Sequence, residues 1–212
     1  MKREILERIE ELGGNISSVV GKSLAEDLCS ITFDTVLYRK NVDTPWSNAD
    51  DEEPIEGLGD FVDENIELYK KDKDVFFNRL YEKYFILTEE AYGQYFWSGE
   101  MFTPFREGST DFEEWNDFFN DDLHSFKEIF DVTDNKDPDF VHLFYGYGYP
   151  DCIYVVSQDV NSENPTVFGT DHEEWFIEVD VEGDLEKYLQ RFWTKKELRE
   201  YMEHRMDLWI QD

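Results

Sequence analysis

The spacing of hydrophobic residues predicts a helical first part of the chain. Apolar positions recur at helical intervals over residues 2–12 and again over 61–84, where the charged run 70–74 (KKDKD) indicates a division into two helices. Between them, residues 31–37 alternate in the manner of a strand and are rich in β-branched side chains. Residues 1–85 are therefore predicted to be mostly helical.

The second half contains short apolar runs typical of β-strands. Four apolar runs, separated by turn-forming glycine and proline, predict an antiparallel meander over 141–144, 153–156, 166–168 and 175–179. The aromatic region before them, residues 92–105, predicts short strands. Two helices are expected after the meander, the first of them starting at Gly183-Asp184.

Helix starts are indicated by Ser or Thr followed three residues later by Glu, the spacing of a capping box. Four such pairs precede predicted helices, at Ser23 and Glu26, Thr110 and Glu113, Ser125 and Glu128, and Thr194 and Glu197.

Together these patterns predict an α+β fold in which helices pack on one mostly antiparallel sheet. Residues 1–212 are expected to form a single domain. Its parts are a mostly helical segment over 1–85 with an acidic loop at 41–60, a sheet-containing core over 86–193 and a C-terminal helix over 194–212.

Charge is the most unusual property of the composition. With 51 acidic and 20 basic residues the net charge is -31, while 17% aromatic residues supply enough apolar surface for a folded core. Such a surface repels nucleic acid and anionic lipid and attracts basic proteins. Residues 137–186 hold thirteen Asp and Glu without any Lys or Arg, and we expect these acids to form one exposed patch.

The sequence favours a cytoplasmic protein. Neither an apolar signal segment nor a stretch of about 20 apolar residues, the length of a membrane span, is visible. Cys29 and Cys152 match no zinc spacing and are expected to be free, buried thiols.

Motifs for catalysis and cofactor binding are weak. Gly21-Lys22-Ser23 lacks the upstream glycine of a phosphate-binding loop, and the four histidines lack the pairing of a helical zinc site. Neither a Gly-x-Ser-x-Gly motif nor a cysteine nucleophile motif occurs. No enzyme activity, cofactor or metal is therefore predicted, although an enzyme that uses paired carboxylates stays open because the abundance of acids hides such a pair.

Residues 139–193 contain short motifs in a particular order: the hairpin Phe144 to Tyr154, Asn164-Pro165-Thr166-Val167-Phe168, Asp171-His172-Glu173 and Leu185-Glu186-Lys187-Tyr188-Leu189. By the order of these motifs the segment resembles the SUKH superfamily, which contains many bacterial immunity proteins and a yeast regulator of cell-wall glucan synthesis. The N-terminal half lacks the Leu-Pro entry and Asn-Gly-Gly turn usual in that family, and is expected to be a helical extension.

The resemblance implies an immunity protein that binds and neutralises a basic, nuclease-like toxin, with the acidic surface replacing nucleic acid phosphates. The alternative is a regulatory or scaffolding module whose partners need not be basic. The candidate partner-binding residues are Tyr147, Tyr149, Asp151, Asp159, Asp171, His172, Glu173, Glu174 and Trp175.

Overall fold

The chain adopts the α+β fold that its sequence predicts. The computed structural model describes residues 1–43, 53–88, 92–119, 126–148, 151–170, 172–173 and 175–209. The described helices are α1 (Arg3–Glu11), α2 (Leu24–Ser30), α3 (Leu58–Lys71), α4 (Lys73–Tyr84), α5 (Thr110–Phe119), α6 (Lys127–Phe130), α7 (Leu185–Leu189) and α8 (Lys195–Trp209), with a 3-10 turn at Asn41–Asp43. The strands are β1 (Gly14–Asn15), β2 (Thr32–Phe33), β3 (Leu37–Tyr38), β4 (Gln94–Phe102), β5 (Phe140–Gly146), β6 (Cys152–Val156), β7 (Thr166–Thr170) and β8 (Asp180–Asp184).

Six strands form one antiparallel sheet in chain order, from β3 to β8. The predicted hairpin is confirmed, because β5 pairs with β6 and Phe140 lies opposite Val156. The aromatic region predicted as short strands is instead one nine-residue strand, β4, with a bulge between Trp97 and Glu100. The strand predicted over 31–37 is split, since β2 pairs with β1 in a small sheet and β3 joins the large one.

The strand predicted over residues 175–179 is wrong. The chain turns there, and Phe176 adopts a left-handed backbone conformation with φ of 55°. Its N–H donates a hydrogen bond of 2.7 Å to the hydroxyl of Thr170, and its ring is buried against Tyr154 of β6. Packing of this ring outweighs the local preference for a strand. The last strand of the sheet is β8.

Local hydrogen bonds confirm several predicted helix starts. The hydroxyl of Ser23 accepts the N–H of Glu26 at 3.2 Å. Thr194 and Glu197 form a reciprocal capping box, in which each side chain accepts the other residue's N–H, at 2.9 and 3.0 Å. The predicted division near residue 72 is also present, because the Asp72 carboxylate caps α4.

The capping residue of α5 differs from the predicted one. Ser109, and not Thr110, accepts the N–H of Phe112 through its hydroxyl, at 3.0 Å. Ser125, the predicted cap of another helix, lies outside the described residues. The helix that follows it, α6, begins at Lys127.

The two faces of the sheet pack against different helices. Helices α1, α2 and α7 cover one face, in a cluster that includes Ile5, Ile9, Leu28, Val141, Val155 and Leu189. On the opposite face, α3, α4 and α8 pack near β3 and β4, in a cluster that includes Tyr38, Phe61, Phe76, Leu80, Phe96 and Leu198. The rest of that face packs against α5, α6 and the 175–179 turn, in a cluster that includes Phe102, Phe119, Ile129, Phe140, Tyr154 and Phe176.

Neither Cys29 nor Cys152 forms a disulfide bond. The expectation that both are buried is wrong for Cys29, which is exposed, whereas Cys152 is half-buried. Desolvation raises the pKa of both thiols, and the Glu100 carboxylate adds to this effect at Cys29.

A partly buried ion pair joins the two terminal helices. Arg8 of α1 is only 6% exposed, and its guanidinium donates to the carbonyl of Phe192 at 2.8 Å and to the carboxylate of Glu197 at 3.0 Å. The ammonium of Lys40 lies 3.3 Å from the same carboxylate. We call this arrangement the Arg8–Glu197 clasp.

The clasp fixes the charge of Glu197. Partial burial alone would raise the pKa of this carboxyl group. The N–H of Thr194 and the guanidinium of Arg8 outweigh burial, with help from Lys40, and they lower the pKa to about 2. Because the folded-state pKa lies below the ordinary value, the stabilisation is complete above about pH 5 and is lost as pH falls toward 2.

We therefore expect Glu197→Gln to reduce the free energy of unfolding by about 1–2 kcal/mol at pH 7, a value discounted because the carboxylate is partly exposed. The difference from wild type should shrink steadily between pH 5 and pH 2.5. Urea unfolding at a series of pH values measures it. Glu200→Gln, on an exposed turn of the same helix, serves as the control. A difference that does not depend on pH would contradict the assignment.

Candidate protein-binding surface

The structure places six of the nine predicted partner-binding residues. Tyr149, Asp171 and Glu174 lie outside the described residues. The other six do not form one group: some lie at one end of the sheet, one is buried in a loop, and one lies on the face covered by α5.

Tyr147, Asp151 and His172 lie at the same end of the sheet. Tyr147 follows the end of β5, Asp151 precedes the start of β6, and His172 follows the end of β7. Because these strands are antiparallel neighbours, the three positions lie at the same edge of the sheet. The His172 Nδ1 atom lies 3.6 Å from the Asp151 carboxylate. The ring of Tyr147 packs near Tyr92, with 6.4 Å between centroids. Glu173, the next residue along the chain, is exposed.

Asp159 has a structural role that removes it from any partner surface. It is 5% exposed, and its two carboxylate oxygens accept the N–H groups of Asn161 and Thr166, both at 2.7 Å. These bonds shape the loop that leads into β7. The prediction that Asp159 contacts a partner is therefore corrected, because its carboxylate is neither accessible nor uncommitted.

Trp175 lies on the face covered by α5, within an aromatic group that sequence analysis did not identify. Its ring centroid is 4.5 Å from that of Trp115 and 5.4 Å from that of Phe118. Its indole N–H points to the hydroxyl of Tyr154 at 3.4 Å, which fixes the ring on the sheet. Trp115 stays 37% exposed, so this aromatic group reaches the surface.

Helix α5, which carries Trp115 and Phe118 of this aromatic group, is acidic. It holds four acidic residues and no basic one. Asp111 turns inward and accepts hydrogen bonds from Thr103, whereas Glu113, Glu114 and Asp117 are exposed. Within the described ranges, no Lys or Arg forms an ion pair with these three carboxylates. We define the α5 surface as Glu113, Glu114, Trp115, Asp117, Phe118 and Trp175.

The acidic segment 137–186 contributes less uncompensated charge than expected. Eleven of its thirteen acids are described, and at least five of these are engaged within the fold. Asp139 pairs with Arg106, Asp159 binds backbone N–H groups, Glu182 pairs with Arg191, Asp184 caps α7 beside Lys187, and Glu186 pairs with Lys2. The expectation of one exposed patch from this segment is therefore wrong, because bases from elsewhere in the chain neutralise part of it.

A second acidic region lies in a cleft of about 480 Å³ beside α3 and α4. Glu56, Asp60 and Glu64 line it together with Tyr84. Burial, reinforced by nearby carboxylates, raises the pKa of Tyr84 to about 12. The ammonium of Lys83 lies 5.0 Å from the centre of the Tyr84 ring, so the chain places one of its own cations in the cleft.

His142 is half-buried, and its contacts serve the packing of the sheet. Burial lowers its pKa to about 4, so the ring is neutral near pH 7. It stacks on Tyr154 at 4.8 Å, and its Nε2 atom donates to the carbonyl of Phe144 at 2.9 Å. Within the described parts of the chain, no group of three or more His, Cys, Asp or Glu side chains is arranged to hold a metal ion.

Comparison of the chain with protein-family models, curated proteins and solved structures finds no match. None of the helices in the described ranges combines the length and apolarity needed to cross a bilayer.

Proposed function

We propose that this protein is a cytoplasmic immunity protein that binds and neutralises a basic toxin. The observation that carries the proposal is the α5 surface, where Trp115 is 37% exposed on a helix whose three exposed carboxylates no base of the described chain neutralises. Protein interfaces use aromatic anchors of this kind inside a polar rim. The proposed role is to occupy a positively charged site on the toxin, and so to block it.

The net charge supports the same proposal. A charge of -31 attracts a basic partner over a long range and speeds association, and salt weakens this attraction. The resemblance of residues 139–193 to the SUKH superfamily adds support, since immunity proteins are common in that family. A basic nuclease is the partner class that best fits both features, because its active site already binds polyanions.

Co-expression with the products of neighbouring genes tests the proposal. We expect one product to be toxic alone and harmless in the presence of this chain. The purified pair should bind, with an affinity that falls steeply as salt rises. Absence of binding by any neighbouring product, or an affinity that is the same at low and high salt, would count against the proposal.

Charge-neutralising variants locate the interface. The triple variant Glu113→Gln, Glu114→Gln, Asp117→Asn should weaken binding at least about tenfold, which corresponds to roughly 1.4 kcal/mol. The matched control is Asp63→Asn, Glu64→Gln, Glu67→Gln on α3, which removes the same charge from another exposed helix. Equal losses for the two variants would show that only the total charge matters, and would remove the α5 surface from the proposal.

A further inference from the structure

Strand β8 forms one edge of the large sheet. Among the described strands its only neighbour is β7, with which it pairs at Asp180, Val181, Gly183 and Asp184. In an antiparallel pair, successive residues alternately turn their N–H and C=O groups toward the partner strand and away from it. Part of the backbone of β8 therefore faces the outer side of the sheet, where a further strand can pair with it.

One carbonyl of β8 already has a donor from outside the sheet. Glu182 has no partner on β7, because the register shifts between the pairs that Val181 and Gly183 form. The C=O of Glu182 instead accepts a hydrogen bond of 3.0 Å from the guanidinium of Arg191, which also pairs with the Glu182 carboxylate. The chain itself thus supplies a positively charged donor to a backbone acceptor of β8.

The beginning of the strand is exposed and acidic. Glu178 and Asp180 are exposed, and within the described residues no Lys or Arg pairs with either carboxylate. Val181 is 55% exposed, although it lies opposite Phe168, which is buried on the face covered by α5. Directly opposed residues project from the same face of a sheet, so Val181 leaves apolar surface uncovered at the margin of that face.

This edge is continuous with the α5 surface. Trp175, a member of that surface, contacts Trp115 and lies in the turn that leads into β8. Ile177, between Trp175 and the strand, is 36% exposed. A partner that contacts Trp175 therefore reaches β8 across exposed residues.

Charge selects the kind of strand that fits this edge. A second copy of the chain brings the same acids to the edge, and like charges on opposed residues destabilise strand pairing. Because side chains alternate between the two faces of a strand, a segment of alternating basic and apolar residues can place a base opposite Asp180 and an apolar side chain opposite Val181.

We propose that β8 pairs with an extended, basic segment of the partner, which adds a further strand to the six-stranded sheet. This inference rests on the proposed function, because the basic partner supplies the segment. Backbone hydrogen bonds hold the added strand, and its alternation of basic and apolar side chains provides selectivity. Positive charge on a helix does not satisfy this edge.

Two peptides of equal charge test the role of the backbone. An acetylated, amidated hexapeptide of alternating lysine and valine is titrated into the full chain at one low ionic strength, as is the same peptide with a methyl group on every internal backbone nitrogen. The methyl groups remove the donors that strand pairing needs. We expect the unmethylated peptide to bind at least about fivefold more tightly, with the largest backbone N–H shifts in NMR spectra at Asp180 and Val181.

Variants assign the difference to the edge. Val181→Lys should abolish it, because a lysine on an edge strand opposes the addition of a basic strand. Val160→Lys adds the same charge in the loop after β6, at a residue that is 75% exposed, and should keep the difference. Circular dichroism checks that each variant is folded, and Asp180→Lys replaces Val181→Lys if the latter is not.

Three results overturn the inference. The first is equal affinity for the two peptides, and the second is a difference that survives Val181→Lys. The third is a dimer of the chain alone that sedimentation detects and that Val181→Lys dissociates, because a second copy then occupies the edge.

The outcome is separable from that of the proposed function. If a toxin is bound and neutralised but Val181→Lys leaves its affinity unchanged, the strand inference fails and the proposed function stands. If the peptide difference maps to β8 but no neighbouring gene product binds, the proposed function fails and the addition of a basic strand stands.

Discussion

Replacement of Arg8 by alanine is expected to lower the free energy of unfolding by about 3 kcal/mol. The change removes the cation that the Glu197 carboxylate faces, and it removes the guanidinium donor to the carbonyl of Phe192. The carbonyl of Leu189 also loses its bond to Arg8 but still accepts the N–H of Phe192. Loss of one member of a buried pair costs about 3–5 kcal/mol, and the lower value applies here because Lys40 still contacts the carboxylate. Urea unfolding measures the effect.

Arg3→Ala provides the matched control on the same helix. Arg3 is exposed and pairs only with Glu7, one turn away, so its removal should change stability by less than about 0.5 kcal/mol. If the two alanine variants unfold at the same urea concentration, the Arg8–Glu197 clasp does not contribute as described.

Phe176→Ala is expected to lower the free energy of unfolding by about 3–5 kcal/mol, the usual cost of removing a buried aromatic side chain. Phe176 is 1% exposed, and its ring centroid lies 5.0 Å from that of Phe119 and 5.1 Å from that of Tyr154. The same ring anchors the turn that carries Trp175. The variant should therefore also broaden the Trp175 indole resonance, which NMR spectra detect.

The neighbouring residue is the control for this prediction. Ile177 is 36% exposed, so Ile177→Ala should cost less than about 1 kcal/mol and leave the Trp175 resonance unchanged. A Phe176→Ala protein as stable as the Ile177→Ala protein would show that the turn does not depend on the buried ring.

Sequence patterns predict the parts of this fold that local forces determine. The caps at Ser23 and Thr194 need only a side chain and an N–H group within one turn, and both are present. The β5 and β6 hairpin follows from two apolar runs with turn residues between them. Residues 175–179 are equally rich in strand-forming side chains, yet they form no strand, because burial of the Phe176 ring outweighs a weak strand preference.

The candidate site was predicted less completely, since it depends on contacts between distant parts of the chain. Trp175 is identified by its acidic neighbours in sequence, but its contact with Trp115 depends on how α5 lies across the sheet. The burial of Asp159 likewise depends on the N–H of Thr166, which only the folded loop brings to it. Helix α5 contains aromatic residues and acids but no Lys or Arg. This composition is the feature of the sequence that marks α5 as part of a candidate site.

The sheet and the Arg8–Glu197 clasp differ in the length of chain that must be closed into a loop when each forms. Each strand pairs with strands adjacent in sequence, so sheet formation closes only loops between neighbouring segments. The Arg8–Glu197 contact joins residues 189 positions apart and encloses nearly the whole chain. Because this contact joins the two chain ends and not two strands, its loss leaves every backbone pairing of the sheet in place.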